Sequence, residues 1–305
     1  MERAASCLVC GETITKRRKG VVAPFLAHRI WDRKPFAVEL LECQACQFKF
    51  YNPRLGDEEQ GKLYAGYRES QYQQLRHSFE PWYTERFNAS LSSPETVRRR
   101  RAIFARIFSE HIRPCGVRSV LDFGGARGEL VQNLIPGGEA CVYDISSVEP
   151  LPGVQKRSLQ DCISTKGFDL IVTSNVLEHV SSPRQFLGQI ASIASEGTLV
   201  FVEVPWESPS GCAAWAKRLV QHIALGVARP KVTLSLLEVG ALTVMHEHVN
   251  FFAPVTLERL MVSMQWKVIA GGVYRFGNSP LAGRIIWSLA RAPLLKTSPN
   301  EESVA

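Results

Sequence analysis

Apolar residues in this chain come in short runs that end at acids, glycines or polar pairs, and stretches of helical period separate the runs. Runs at 118–123, 140–144, near 154–159, 168–174 and 198–204 predict strands, while 128–135 and 183–194 predict helices, the second opened by Pro183. Strands alternating with helices in this way imply a parallel sheet covered on both faces. Upstream, Ser93-Pro94-Glu95-Thr96 reads as a helix start with a capping serine and a proline at the first helical position. That helix should run to about residue 112, with Val97, Ile103, Phe104, Ile107 and Phe108 as its apolar stripe. Arg98 to Arg101 lie on it, and four successive residues spread around the whole circumference, so they read as a solvated surface. A nucleic-acid patch or an anionic substrate or lipid contact are the alternatives. Downstream, a helix is expected over Pro254–Gln265, and 266–273 and 284–290 read as strands six and seven. Nearer the start, Val21–Phe25 and Phe36–Glu42 are the strand candidates.

Composition narrows the class. A chain of 305 residues, 45% apolar and 21% charged, is long enough for a large core and at most two domains. Net charge is +7, which favours anionic partners such as nucleotide-linked sugars, phospholipid surfaces or nucleic acid, without choosing among them. The first residues lack the apolar core of a signal peptide, and no apolar run reaches the length of a membrane span. The expected location is cytoplasmic, where the eight cysteines should be reduced or metal-bound. Residues 57–93 form a polar, aromatic linker whose Tyr64, Tyr67, Tyr72, Trp82 and Tyr83 either fasten it to the next domain or line a pocket. The stretch 206–245 reads as an insertion with Trp215, Leu219, Val220, Ile223, Ala224 and Val227 on one helical face and Lys217, Arg218 and Gln221 on the other. It could roof a pocket, pack on the core, or dock on a membrane surface. Residues 297–305 read as a disordered tail, and no internal repeat is present.

Three constellations carry chemistry. First, Val120-Leu121-Asp122-Phe123-Gly124-Gly125-Ala126-Arg127-Gly128 is an apolar run ending in an acid and breaking into a glycine-rich turn. Such a turn lets backbone approach a ligand and aims free N–H groups at it. Asp144 ends the next apolar run, where a nucleoside-binding βαβ unit places a carboxylate on ribose hydroxyls. Second, Cys7-x2-Cys10 and Cys43-x2-Cys46 have the spacing that presents two thiolates to one zinc. Gly11 follows the first pair and Gln47 the second. Four thiolates close the shell, so the expected role is structural, against a reading of two unrelated thiol pairs. Third, Met245-His246-Glu247-His248-Val249-Asn250-Phe251-Phe252 ends the insertion. His248 beside Glu247 is an acid–base candidate, because a histidine can take a hydroxyl proton and a neighbouring carboxylate can orient it. His248 could instead be a structural histidine, and so could His179.

The glycine turn, Asp144, the strand at 168–172 followed by Ser174-Asn175-Val176-Leu177-Glu178-His179-Val180, and Pro183 together make residues 94–292 resemble the class I S-adenosylmethionine-dependent methyltransferases. The fold this implies is α/β, a seven-stranded Rossmann-like methyltransferase sheet ending in an antiparallel hairpin, with a small N-terminal zinc-ribbon-like module. The expected division is 1–56 for that module, 57–93 for the linker and 94–296 for the methyltransferase domain. The resemblance assigns S-adenosylmethionine to Asp122, Gly124, Gly125, Gly128, Asp144, Asp161 and Asn175. Asp144 should take the ribose hydroxyls, Asp122 the methionine ammonium, and Asp161 or Gln160 the adenine amino group; each acid could otherwise cap a helix or form a turn. Ala126 stands where the family has a middle glycine, so a slightly displaced loop with retained binding is expected.

Residues 41–54, with their second cysteine pair and Asn52-Pro53-Arg54, resemble the zinc-binding leader of bacterial glycan-tailoring methyltransferases, including sugar C-methyltransferases. In that group a Tyr-His-Glu-His segment supplies proposed acid–base residues, which Glu247 and His248 match; Met245 replaces the tyrosine. His179 matches another active-site histidine of the group. The implied activity is methyl transfer to a hydroxyl, or to an activated carbon, of a small metabolite such as a nucleotide- or lipid-linked sugar. The absent tyrosine and the lack of a large C-terminal domain favour oxygen over carbon. Alternatives are a zinc-ribbon binding protein with a silent methyltransferase fold, and an RNA methyltransferase. Ser174-Asn175-Val176-Leu177 lacks an Asn-Pro-Pro-Tyr-type base-binding loop, which disfavours nucleic acid.

Overall fold

A computed structural model of the protein describes residues 4–291 except 68, 92, 113–115, 147, 166, 210–211, 242 and 277–282. The expected tail at 297–305 lies outside these residues, as do the side chains of Trp215, Lys217 and Arg218. In chain order, β1 (Lys16–Val22), α1 (Pro24–Trp31), β2 (Ala37–Glu42) and β3 (Lys49–Asn52) precede three short helices, α2 (Asp57–Tyr64), α3 (Ser70–Phe79) and α4 (Glu85–Leu91). Then come α5 (Pro94–His111), β4 (Ser119–Phe123), β5 (Glu139–Tyr143), β6 (Gln155–Lys156), α6 (Leu159–Thr165), β7 (Leu170–Ser174), α7 (Pro183–Ile193) and β8 (Leu199–Pro205). The remainder is α8 (Cys212–Ala228), α9 (Pro230–Val239), β9 (Thr243–Met245), β10 (Asn250–Phe251), α10 (Pro254–Ser263), β11 (Lys267–Arg275) and β12 (Arg284–Arg291).

Seven strands form one sheet in the order β11-β12-β8-β7-β4-β5-β6. Strands β8, β7, β4, β5 and β6 run parallel, whereas β12 is antiparallel to both β8 and β11. Every residue of β7 is buried, as a central parallel strand covered on both faces requires. Residues Ile171 and Val200 pair across β7 and β8, and Leu121 pairs with Ile171 across β4 and β7. The chain order reverses beside β4, so the ends of β4 and β7 open onto a crevice where such sheets bind ligands.

A second, five-stranded sheet has the order β10-β3-β2-β1-β9. Its three central strands come from the cysteine-bearing segment, but both edges come from the stretch that contains His246, Glu247 and His248. Val21 pairs with Val244 and Phe50 pairs with Asn250. The N-terminal strands therefore hold the candidate acceptor segment from two sides.

Local chemistry departs from expectation in three places. Val21–Phe25 is not one strand: β1 stops at Val22, and Pro24, preset for a first helical turn, opens α1. Residues 128–135 form successive turns rather than a helix, because Gly128 and Asn133 take positive φ of 74° and 54°. The arginine run is only partly a solvated face. Arg100 turns inward to Ser174 Oγ at 2.7 Å, and Arg101 donates to the Gln132 carbonyl at 2.6 Å.

Candidate active site

The turn after β4 has glycine where geometry demands it. A Cβ on Gly125 would fall 1.9 Å from the Asp122 carboxyl carbon, and one on Gly124 would lie 2.7 Å from a Val176 methyl. Gly128 is pressed likewise, 2.7 Å from a Val154 methyl. Ala126, at φ 51°, accepts the left-handed conformation that a glycine would take more cheaply. Its N–H donates to Asp144 at 2.8 Å, and Ser146 N–H donates to the other carboxylate oxygen at 2.8 Å. Asp144 thus fixes the turn from the end of β5.

Beneath the turn, Asp122 is 1% exposed and its Oδ1 has no hydrogen-bond partner. Burial pushes its carboxyl up to about 7; Arg100 opposes the rise, while Asp144, Glu129 and Glu203 add to it. A buried acceptor left open at a ligand crevice is placed for a cationic or N–H-bearing group. Asp161 lies elsewhere. It accepts from Ser158 N at 3.1 Å and Ser158 Oγ at 2.6 Å, capping α6, and it does not line the cleft. Asn175 follows β7 with φ 56° and does line it.

One cleft of about 2910 Å³ runs from Asp122, Gly124, Gly125 and Asp144 to Glu178, His179, Glu247 and His248. That exceeds the roughly 300–1,000 Å³ of a single-ligand pocket, leaving room for a cofactor and an acceptor together. Val220, Leu225 and Leu236 of α8 and α9 border it. At its far end the His179 and His248 rings meet edge to face with centroids 4.7 Å apart. Nδ1 of His248 contacts the Glu207 carboxylate at 2.7 Å. Burial opposes a charge on this ring, but Glu207 outweighs it and raises the pKa to about 9. Nδ1 of His179 lies 2.7 Å from the Tyr64 hydroxyl and 3.2 Å from the Glu247 carbonyl. Burial, with His248 alongside, lowers His179 to about 3 and keeps it neutral.

Glu247 is bound rather than poised. Arg76 of α3 grips both carboxylate oxygens, Nη2 donating at 2.8 Å, and a second acid, Glu80, accepts from Arg76 Nε at 2.8 Å. Burial works against the Glu247 charge, yet Arg76 holds its carboxyl down near 2. This geometry suits anchoring the segment more than moving a proton. His246 reaches Glu80 at 3.1 Å, so the two outer members of the His-Glu-His triplet face different partners.

Arg54 supplies a second clamp. Its buried guanidinium donates to the carbonyls of Val180 at 2.8 Å and Ser181 at 2.9 Å and to Asn250 Oδ1 at 2.6 Å, fastening the loop after His179 to β3 and β10. Glu178, Tyr64, Arg76, Arg100 and Glu207 were not singled out from sequence as site residues. Glu178 was visible beside His179, and Tyr64 within the aromatic linker; the others gave no local signal.

The four cysteines converge. Sγ atoms of Cys7 and Cys46, and of Cys10 and Cys43, lie 3.5 Å apart, and all four fall within 4.8 Å of one another. Tetrahedral zinc with bonds of about 2.3 Å needs sulfurs about 3.8 Å apart, so the donor set fits. Both knuckles close alike: Gly11 N–H donates to Cys7 O at 2.9 Å and Gln47 N–H to Cys43 O at 2.8 Å, at φ 77° and 62°. Gln47 thus adopts the glycine-like conformation of its counterpart. The knuckles pack into one core with Phe48, Phe252, Leu257 and Met261, and Thr256 Oγ1 donates to Cys46 O at 2.7 Å.

The parallel sheet, the glycine turn at its crevice and the acid at the next strand end define an α/β methyltransferase fold. A family model described as a methyltransferase domain matches residues 64–270, more than half of the chain. The chain belongs to that family and is an S-adenosylmethionine-dependent methyltransferase. No curated protein matches it in sequence. Similar solved structures include the magnesium protoporphyrin IX methyltransferase of Synechocystis PCC 6803 with bound SAH, at 12% identity and TM-score 0.40, covering 64% of this chain and 84% of that one. Others are the plantazolicin methyltransferase BpumL with a pentazolic analog and SAH (10%, TM-score 0.47, 76% and 95%). A cyclopropane-fatty-acyl-phospholipid synthase-like protein from Lactobacillus casei ATCC 334 is also similar (13%, TM-score 0.40, 64% and 91%). Among the described residues, no helix is long and apolar enough to cross a membrane.

Proposed function

We propose that the protein methylates a hydroxyl of a small polyhydroxylated acceptor, a sugar or glycan precursor carried on a nucleotide or lipid, with an activated carbon as the second choice of methyl acceptor. The observation that carries this reading is the single cleft joining the Asp122–Asp144 end to the paired imidazoles of His179 and His248. In this reading Asp144 takes the ribose hydroxyls, Asp122 takes the methionine ammonium, and Gly124, Gly125 and Asn175 let backbone approach the cofactor. Ile145, 68% exposed beside Asp144, offers the adenine an apolar face.

The acceptor lies against the histidines, with Tyr64 and Tyr67 lining the same end of the cleft. Methyl transfer is an in-line displacement, so holding the oxygen near the sulfonium methyl supplies much of the acceleration. The neutral form of His248, oriented by Glu207, accepts the hydroxyl proton, so turnover should rise as pH climbs toward about 9; Glu247, held by Arg76, positions the segment. A structural zinc on Cys7, Cys10, Cys43 and Cys46 fixes the knuckles that pack on α10. Closed by four thiolates, it has no open position for chemistry.

The test is transfer of labelled methyl from S-adenosylmethionine to three separate pools: nucleotide-linked sugars, structured RNA and peptides. Label in the sugar pool alone is expected. Label in RNA or peptide alone would contradict the acceptor class.

A further inference from the structure

Glu178, His179 and His248 each bring one donor atom to a spot where all three lie within 4.8 Å of one another. We propose that these residues bind a divalent transition-metal ion at the acceptor end of the cleft. The site would be distinct from the cysteine cluster and open toward the substrate.

Both histidines are set up as ligands from behind. The Glu247 carbonyl at 3.2 Å from His179 Nδ1 can only accept, so with the Tyr64 hydroxyl at 2.7 Å turned to accept as well, the proton sits on Nδ1 and the lone pair is left on Nε2. Glu207 holds the Nδ1 proton of His248 from 2.7 Å, so Nε2 is the nitrogen that a metal would take once it displaces that nitrogen's own proton. Metal-ligating histidines characteristically give their other N–H to a carboxylate or carbonyl, which fixes tautomer and ring direction. Nε2 of His179 then faces Glu178 Oε1 at 3.8 Å.

Glu178 supplies the independent sign of a missing partner. It is 1% exposed, and its Oε2 has no hydrogen-bond partner. A buried carboxylate oxygen without a donor is costly, and a cation would satisfy it. Bonds of about 2.0–2.2 Å hold donor atoms about 3–3.5 Å apart, so the His179–Glu178 pair at 3.8 Å needs to close by less than about an ångström and a pair at the 4.8 Å limit by roughly 1.3–1.8 Å. Two imidazoles and one carboxylate leave coordination positions open, and this donor set suits zinc, iron, cobalt or nickel better than magnesium or calcium.

The inference rests on the methyl-transfer reading for the acceptor's position and deepens it. An acceptor hydroxyl bound to the ion releases its proton to water more readily. Its oxygen pair then forms the bond to the methyl carbon while the C–S bond breaks, the electron pair staying on sulfur as a neutral thioether. With the ion in place His248 is a ligand, and the ion takes over its part in removing the proton.

The whole 305-residue chain, loaded with zinc for its cysteines, is titrated with Co2+ and followed by visible absorption, and S-adenosylmethionine binding is measured by calorimetry on the same preparation. One equivalent of Co2+ should bind with the spectrum of nitrogen and oxygen ligands and no thiolate charge-transfer band. E178Q and H179A should each weaken Co2+ binding at least tenfold. Glu207→Ala, a change at a half-exposed residue that should leave folding intact, should weaken it about tenfold through lost orientation of His248. Absence of ligand-field bands at saturation, thiolate bands alone, or wild-type Co2+ affinity in both E178Q and Glu207→Ala would overturn the site. Cofactor binding without Co2+ would remove only the metal, whereas Co2+ binding without the cofactor would remove the methyl-transfer reading.

Discussion

Beneath the glycine turn, Asp122 titrates near pH 7 instead of near the ordinary carboxyl value of 3.8, because burial penalises its charge. Between those two values the folded chain holds a proton that the unfolded chain has lost, so this group's contribution to stability falls as pH rises from about 4 to 7. In the proposed reading the cofactor's ammonium lies against this carboxyl and would favour its ionised form. Affinity for S-adenosylmethionine should therefore climb as pH passes upward through about 7, with proton release on binding, and Asp122→Asn should flatten that climb. Calorimetry in buffers of different ionisation enthalpy reads both quantities; an equally steep profile in the Asn variant would remove Asp122 from the linkage. Asp144 makes a second residue-scale case. Its carboxylate already holds Ala126 N–H and Ser146 N–H and should also take the ribose hydroxyls. Asp144→Ala should weaken the cofactor by about 2–4 kcal/mol, the worth of one or two charge-assisted hydrogen bonds. Unchanged affinity in a folded variant would take Asp144 out of the site.

At the scale of elements, α3 is tied to the β9–β10 connection by a buried ion pair. The Arg76 and Glu247 side chains are 9% and 13% exposed, and Glu80 shares the guanidinium. Removing one member of such a group leaves charge uncompensated, so Arg76→Met should cost about 3–5 kcal/mol of stability, read from denaturant unfolding. A change below 1 kcal/mol would mean that the pair is solvated in practice. This contact also shows what a sequence can reveal about such a site. The glycine turn, Asp122 and Asp144 were legible because their constraints are local: a Cβ clash, a strand end, a turn. The cysteine pairs were legible because two-residue spacing lets each pair close one tight knuckle, and the structure brings the four thiols within 4.8 Å of one another. Arg76, Glu207 and Tyr64 were not, since each meets the histidine-bearing loops from a distant part of the chain. Arg100 was hidden by its neighbours, because four successive arginines look alike until packing turns one inward. In the same way, Val21-Val22-Ala23-Pro24-Phe25 reads as apolar throughout, and only the proline marks where strand gives way to helix.

For the molecule as a whole, the cysteine segment is woven into the rest rather than appended to it. Its strands pair with β9 and β10, and its knuckles share a core with α7, α10 and the large sheet. Metal analysis should find one zinc equivalent, lost in Cys43→Ser, and the loss should lower the melting temperature of the whole chain as one transition, since binding energy at such a site is folding energy. Unchanged metal content would defeat the zinc assignment, and a separate early transition would show that the segment melts alone. The central claim is that one cleft holds the cofactor at the glycine turn and the acceptor at the histidine pair. Comparing wild type with His248→Ala tests it most directly, through steady-state methyl transfer to the sugar acceptor and calorimetric S-adenosylmethionine affinity on the same preparations. Turnover should fall about 10²–10⁴-fold while cofactor affinity stays unchanged. Full turnover in the variant, or cofactor affinity lost with turnover at saturation retained, would contradict the account.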